Sequence, residues 1–217
     1  MTPQEFSIEF DILYNNLASN AAPPLNEYEK SVFLTKAQSD IVIGLYSGRN
    51  NLGLSYESSE EAREFLRALN IKEKWDVLTK DTITTAFKVD SAIMFKTRME
   101  TTLDHIPVIL TSQDEVSKIR HNPFRGSNIR RIIGVEIDEN HIELINNKST
   151  SSTIDVYGIK KPSPIILPNI GSNAPDIDGQ GTSKPQECKL SPALHSLILD
   201  TAVQLAKQAY IGGQTQS

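Results

Sequence analysis

The chain has 217 residues, 38% hydrophobic and 23% charged, an ordinary globular balance that can bury a core in one large or two small domains. Its 22 basic against 27 acidic residues argue against broad nucleic-acid binding driven by phosphate neutralisation, and no apolar run approaches the ~18 residues of a membrane span. The start "MTPQEFSIEF" lacks the basic and apolar stretches of a secretory signal, and the single Cys188 cannot form an internal disulfide, so a reducing cytosol and stability from packing or assembly are expected.

Thr2-Pro3-Gln4-Glu5 is a capping box with proline at the first helical position, and Phe6, Phe10, Leu13 and Leu17 then repeat on one helical face. "SNAAPPLN" stops this helix, and Asn26 with Glu29 caps the next, which gives two antiparallel helices joined by a short loop. The second helix, "NEYEKSVFLTKAQSDIVIGLY", is apolar on two sides. At about 100° per residue, Tyr28, Val32, Val42, Ile43 and Tyr46 share one arc, with Thr35 and Ser39 among them. Phe33, Leu34, Ala37, Ile41 and Leu45 share the other. A helix apolar on both sides is sandwiched, within its own domain or against a partner, and the expectation drawn here is a partner. "SGRNNLG" ends it, and Ser58 with Glu61 suggests a capping box for a short helix bearing Ala62, Phe65, Leu66 and Leu69.

From Trp75 the texture changes to alternating Thr, Val, Ile and Phe, the pattern of strands. Arg131–Ile137 and His141–Ile145 read as a hairpin turning through Asp138, Glu139 and Asn140. A short helix with Ser112 and Glu115 as its capping box interrupts the strands. "TIDVYGIKKPSPIIL" reads as a further strand, its Lys160 and Lys161 suiting a charged edge. "NIGSNAPDIDGQGTSKPQE" follows as a functional loop or linker. A closing helix starts at Ser191-Pro192 and carries Leu194, Leu197, Ile198, Ala202 and Leu205 before Tyr210. The segregated elements predict an α+β fold. A helical bundle would take residues 1–72 and 188–213, with an inserted antiparallel β-rich domain, sheet or barrel, at 73–168 and a loop or linker at 169–187.

Little catalytic or metal chemistry emerges. Asp176, Asp178, Gln180, Gly181 and Glu187 mimic the spacing of a calcium loop, but Gln at the fifth position, Pro185 and the absence of an entering helix favour a solvated acidic loop. His105, His121, His141 and His195 lack paired ligand spacing, and no cofactor is expected. Cys188 reads as a small buried hydrophobe rather than a nucleophile. "KIRHNPFRGSNIRR" places Lys118, Arg120, Arg125, Arg130 and Arg131 around Asn122-Pro123-Phe124. This basic patch suits an acidic partner surface or a path for phosphates, with a loop paired to neighbouring acids as the plain alternative.

"NEYEKSVFLTKAQ", "NPFRGSNIRR", "YGIKKPSPIIL" and "CKLSPALHSLILDTAVQLAKQAY" together resemble the ring or adaptor proteins of crAss-like phage virions, which join portal to tail in short-tailed phages. The resemblance implies a non-enzymatic homo-oligomer, a twelve-fold ring coaxial with the portal and in contact with further ring or tail proteins. DNA would pass through its lumen, no membrane is involved, and assembly would take place in the host cytoplasm. It implies that the first arc of helix two, with Leu194, Ile198 and Tyr210, meets a neighbouring copy, and the mild acidity would suit a lumen that does not hold DNA. Two readings from other classes stand beside it: a tail-fibre or host-surface binding module, and a small hydrolase.

Overall fold

The computed structural model describes residues 1–17, 24–50, 52–80, 83–89, 91–120, 122, 124, 126–128, 130–145, 151–171, 175–177 and 184–214. The chain forms two compact units, Met1–Leu69 with Pro162–Ser217, and Asn70–Lys161. The fold class is α+β, as the segregated pattern predicts.

The helical unit contains α1 (Pro3–Leu17), α2 (Glu27–Ser47), α3 (Glu60–Leu66) and α5 (His195–Gln214). Both leading caps form as expected. The Thr2 N–H donates to Glu5 Oε2 at 2.8 Å and the Glu5 N–H to Thr2 Oγ1 at 3.3 Å, and Asn26 and Glu29 make the same reciprocal pair at 2.9 and 2.8 Å. Gly48, at φ 74°, ends α2 in the left-handed region that glycine enters without a Cβ penalty. The cap of α3 is Ser59, whose Oγ accepts from the Ala62 N–H, one residue beyond the expected Ser58. Ser191 makes no side-chain cap, because a 3-10 turn over Pro192–Leu194 leads into α5 instead.

α5 packs against both α1 and α2. Its Leu194, Ile198, Leu199, Ala202, Val203 and Ala206 are buried with Phe6 and Phe10 of α1 and Leu34, Ala37, Ile41, Val42 and Leu45 of α2. Each large side chain fully buried contributes about 1.5–3 kcal/mol. Lys30, 3% exposed, joins α1 to α2 by donating to Asp11 Oδ2 at 2.7 Å and to Glu27 Oε1 at 3.0 Å. Burial alone would lower the pKa of this ammonium, but the hydrogen bonds to Asp11 and Glu27 outweigh it and hold the pKa above the usual lysine value.

The other side of α2 is covered by an extended strap. Ile165, Ile166 and Leu167 are fully buried. The Ile165 N–H donates to Thr35 Oγ1 at 3.1 Å, Thr35 Oγ1 donates to the Ile165 carbonyl at 3.3 Å, and the Leu167 N–H donates to Ser31 Oγ at 3.0 Å. Ile166 exchanges both backbone hydrogen bonds with Gln186, at 3.1 and 2.9 Å, and the alternate residues Ile165 and Leu167 must find partners for their buried backbone elsewhere. The hydroxyls Ser31 and Thr35 of α2 supply them. Residues 162–168, read from sequence as the end of a strand, therefore belong with the helices.

The second unit is a single seven-stranded sheet of β1 (Asn70–Lys80), β2 (Ile83–Phe87), β3 (Ile93–Thr101), β4 (Val108–Thr111), β5 (Ile132–Asp138), β6 (His141–Ile145) and β7 (Thr153–Lys160), with α4 (Gln113–Arg120) between β4 and β5. The spatial order is β3-β7-β1-β2-β6-β5-β4, antiparallel throughout except for the parallel pair β4–β5, which α4 makes possible as a crossover. The two ends of this order approach each other. Glu100 bridges to Pro107, and Met99 of β3 and Val108 of β4 share one core with Trp75, Ala86, Ile132, Ile142, Leu144, Ile154 and Val156. Every strand thus contributes to one interior, and the sheet curls almost into a barrel.

The expected hairpin is present, with Ile133 opposite Ile145 and Asp138 opposite His141. β7, by contrast, lies between β3 and β1, so Lys160 and Lys161 do not protect a sheet edge. Gly158 of β7 faces the irregular register of β3, where a Cβ would sit 2.4 Å from the Phe95 carbonyl oxygen. Only glycine admits that close approach.

Candidate assembly surface

Most of the apolar residues expected at a protomer interface are already covered within the helical unit. Val42, Leu194 and Ile198 are in the core. Tyr28, Val32 and Tyr210 are half-buried, and the half-buried Tyr46 packs on Tyr56 with ring centroids 5.8 Å apart. Only Ile43, 41% exposed, stands clear among them. The physical reason is the strap at 165–167, which helical periodicity could not reveal. Much of the two-sided apolarity of α2 is therefore taken up by an internal sandwich, which leaves Ile43 exposed and Tyr28, Val32 and Tyr46 half-buried.

The basic segment behaves differently. Lys118 is exposed on α4, Arg130 is exposed, and Arg131 is half-buried. Arg120 closes α4, while the side chain of Arg120 and the whole of Arg125 lie outside the described residues. The loop between α4 and β5 is held by its own polar side chains. Asn122 Oδ1 accepts from the Phe124 N–H at 2.9 Å, and Asn128 Oδ1 accepts from the Arg130 and Arg131 N–H groups at 2.8 and 3.1 Å. Ser127 Oγ donates to the Ile145 carbonyl and accepts from the Ile133 N–H at 2.9 Å. Arg131 Nη2 donates to the Phe124 carbonyl at 2.7 Å. With the backbone bridge between Asn128 and Arg131 and the Gly126 N–H on the Asn122 carbonyl, these bonds tie the described loop residues to one another and to β5 and β6.

That fixed loop presents Phe124 at 88% exposure. The sequence reading marked the cations and not this ring. The available signal was an aromatic residue set among turn-forming residues and arginines, with no periodic face to join. A second exposed apolar feature lies on α1, where Ile8 and Ile12 are 58% and 53% exposed. One helical turn apart, they form an outward stripe, with the exposed Glu5 and Glu9 along its flank.

The ion pairs of the barrel are structural. Tyr157 lies between Lys72 and Arg98, each cation about 5 Å from its ring centre. Lys72 pairs with Asp155 at 2.8 Å, and Arg98 pairs with Glu100. The Arg98 hydrogen bond holds Glu100 below the usual carboxylate range, and the Lys72 hydrogen bond does the same for Asp155. Inside the sheet, burial would raise the pKa of Glu73. The Ala92 N–H, Ser91 and Trp75, with Lys88 nearby, reverse this and lower it.

At Cys188 burial outweighs the Leu190 N–H and the Met1 ammonium, which favour the thiolate. Burial raises its thiol pKa, which keeps the less nucleophilic protonated form. His195 is buried, its ring 5.3 Å from that of Phe6. Of the calcium-loop lookalike, Asp178 and Gln180 lie outside the described residues, as does His121. Among the described residues no group of three His, Cys, Asp or Glu side chains is placed to hold a metal, and no helix is long and apolar enough to cross a membrane.

A sequence model of the family described as "Phage tail ring protein 3/4" matches residues 1–217. The chain is 35% identical over 227 aligned positions to "Ring protein 4/5" of Bacteroides phage crAss001, covering 98% of this chain and 94% of that protein. It is also 35% identical over 226 positions to "Ring protein 3" of the same phage, covering 95% of each. Likeness of this extent spans both compact units, and the chain belongs to the phage tail ring protein 3/4 family.

Proposed function

We propose that copies of this chain close head to tail into a ring in the virion of a short-tailed phage, coaxial with the portal and between it and the tail. Twelve copies surround the channel through which DNA leaves. The observation that carries this reading is the near full-length identity to two ring proteins of one phage. The chain acts as a structural ring subunit, and its partners are its own neighbours, adjoining rings and the portal. Assembly takes place in the host cytoplasm.

Closure into a ring needs two different surfaces on each copy, because a head-to-tail contact joins unlike patches. The exposed loop around Phe124 and the α1 stripe are two unlike apolar patches of that kind. Imaging the purified protein for rotational symmetry, together with the mass of the assembly, tests the proposal. A closed twelve-fold ring is the expected result. A trimer with glycan affinity would instead favour a host-binding module, and a persistent monomer would contradict both.

A further inference from the structure

We propose that Phe124 of one copy seats on the Ile8–Ile12 stripe of α1 in a second copy, with the cations around Phe124 facing the carboxylates around the stripe. This deepens the ring reading and rests on it. Phe124 is the most exposed large apolar side chain described, at 88%, and Asn122 and Arg131 bond its own N–H and carbonyl. Those two bonds engage its own peptide groups before any partner arrives, which cuts the ordering cost of binding. Phenylalanine and arginine are both enriched at the cores of protein interfaces relative to the rest of the surface.

Charge selects the occupant. Residues 118–131 hold five cations and no carboxylate, whereas the whole chain carries 22 − 27 = −5. The remainder of each copy therefore carries −5 − 5 = −10 and attracts the basic loop of its neighbour. On α1, Glu5 and Glu9 are exposed beside Ile8 and Ile12. Asp11, across the stripe, is already engaged by Lys30 and the Glu5 carboxylate accepts the Thr2 N–H of its own helix cap, so Glu9 is the carboxylate most open to a partner. Duplex DNA would satisfy the arginines but gives an exposed phenylalanine nothing apolar to enter unless its bases unstack. The α1 stripe satisfies both features.

The test uses the full-length chain with Cys188→Ser, so that introduced cysteines are the only thiols. Arg130→Cys and Asn15→Cys, both at exposed positions that leave Phe124, Ile8 and Ile12 in place, are made in separate chains and treated with a short bismaleimide, alone and mixed. A cross-linked dimer from the mixture and from neither variant alone is expected, together with a ladder of multimers when both cysteines share one chain. Rings seen by imaging without the mixed cross-link would overturn this contact while leaving the ring standing. A protein that remains monomeric overturns both.

Phe124→Ser is expected to weaken assembly about tenfold or more with an unchanged thermal melt. Lys118→Glu with Arg130→Glu should weaken it in a salt-dependent way, and adding Glu9→Lys should restore part of the loss. If Phe124→Ser assembles normally but loses retention on duplex DNA, the loop reads nucleic acid and the proposal fails.

Discussion

Helix α2 and the loop between α4 and β5 dispose of their apolar side chains in opposite ways. α2 turns a broad arc inward, where α5 and the strap at 165–167 cover it. The loop spends Asn122, Asn128 and Arg131 on its own backbone and Ser127 on that of β5 and β6, and leaves Phe124 in solvent. The number of apolar residues in a segment therefore says little about what it offers a partner. What remains after the chain has covered itself decides that, and among the described residues Phe124 is the most exposed large apolar side chain, with Ile8 and Ile12 of α1 among the others left outside.

The largest expected contrast comes from truncating one residue of each kind. Leu34→Ala in α2 should cost about 2–5 kcal/mol of stability in chemical denaturation. Phe124→Ala should stay within about 0.5 kcal/mol while weakening assembly, and equal destabilisation by the two would break the comparison. Next is Gly158→Ala in β7, whose methyl group meets the Phe95 carbonyl. It should lower the stability of the β unit by about 1–3 kcal/mol, and an unchanged melt would show that β3 shifts freely. Thr35→Val keeps the shape of the side chain but removes the partner of the Ile165 N–H. A loss of about 1–3 kcal/mol would show that the strap, not a neighbouring copy, covers that side of α2.

The smallest effect is in pH. His195 is held below the usual histidine value, first by burial and then by the Met1 ammonium, against an opposing hydrogen bond to the Leu190 carbonyl. Its folded pKa is thus depressed, so the unfolded chain takes up the proton first. The contribution to stability is complete above about pH 6.5 and is lost as pH falls from there through the folded value. Glu73 and Asp155 are also depressed, but their contributions persist until pH drops below about 4. Denaturation midpoints followed from pH 7 to 5 should therefore fall in the wild type and flatten in His195→Gln. A parallel fall in both would place the titrating group elsewhere.

The legible parts of the fold were local. Thr2 with Glu5, Asn26 with Glu29, and the turn between β5 and β6 are fixed by residues within a few positions of one another, and each formed where its spacing placed it. The sequence missed what depends on distant partners. Ser31 and Thr35 interrupt an apolar arc for no reason visible in α2 alone, because the backbone they serve lies more than a hundred residues away. β1 begins at Asn70 rather than Trp75, since its "NIKEK" looks exposed, yet Glu73 points inward and is satisfied by Ser91, Ala92 and Trp75. The central place of β7 and the parallel β4–β5 pair are likewise matters of strand order that periodicity does not encode.

The family is legible in the motifs, whereas which apolar side chains stay exposed is not legible in α2 alone. "NPFRGSNIRR" carried both the resemblance and, unrecognised, the exposed Phe124. The apolar surface of α2 is mostly covered from within, with Ile43 left exposed.

The measurement that tests the account most directly is the assembled mass of the wild-type chain beside that of Phe124→Ser, at matched concentration. The account predicts a closed multimer for the wild type and a population shifted toward monomer for the variant, both equally well folded. Identical multimers, or a wild type that stays a single folded copy, would contradict it.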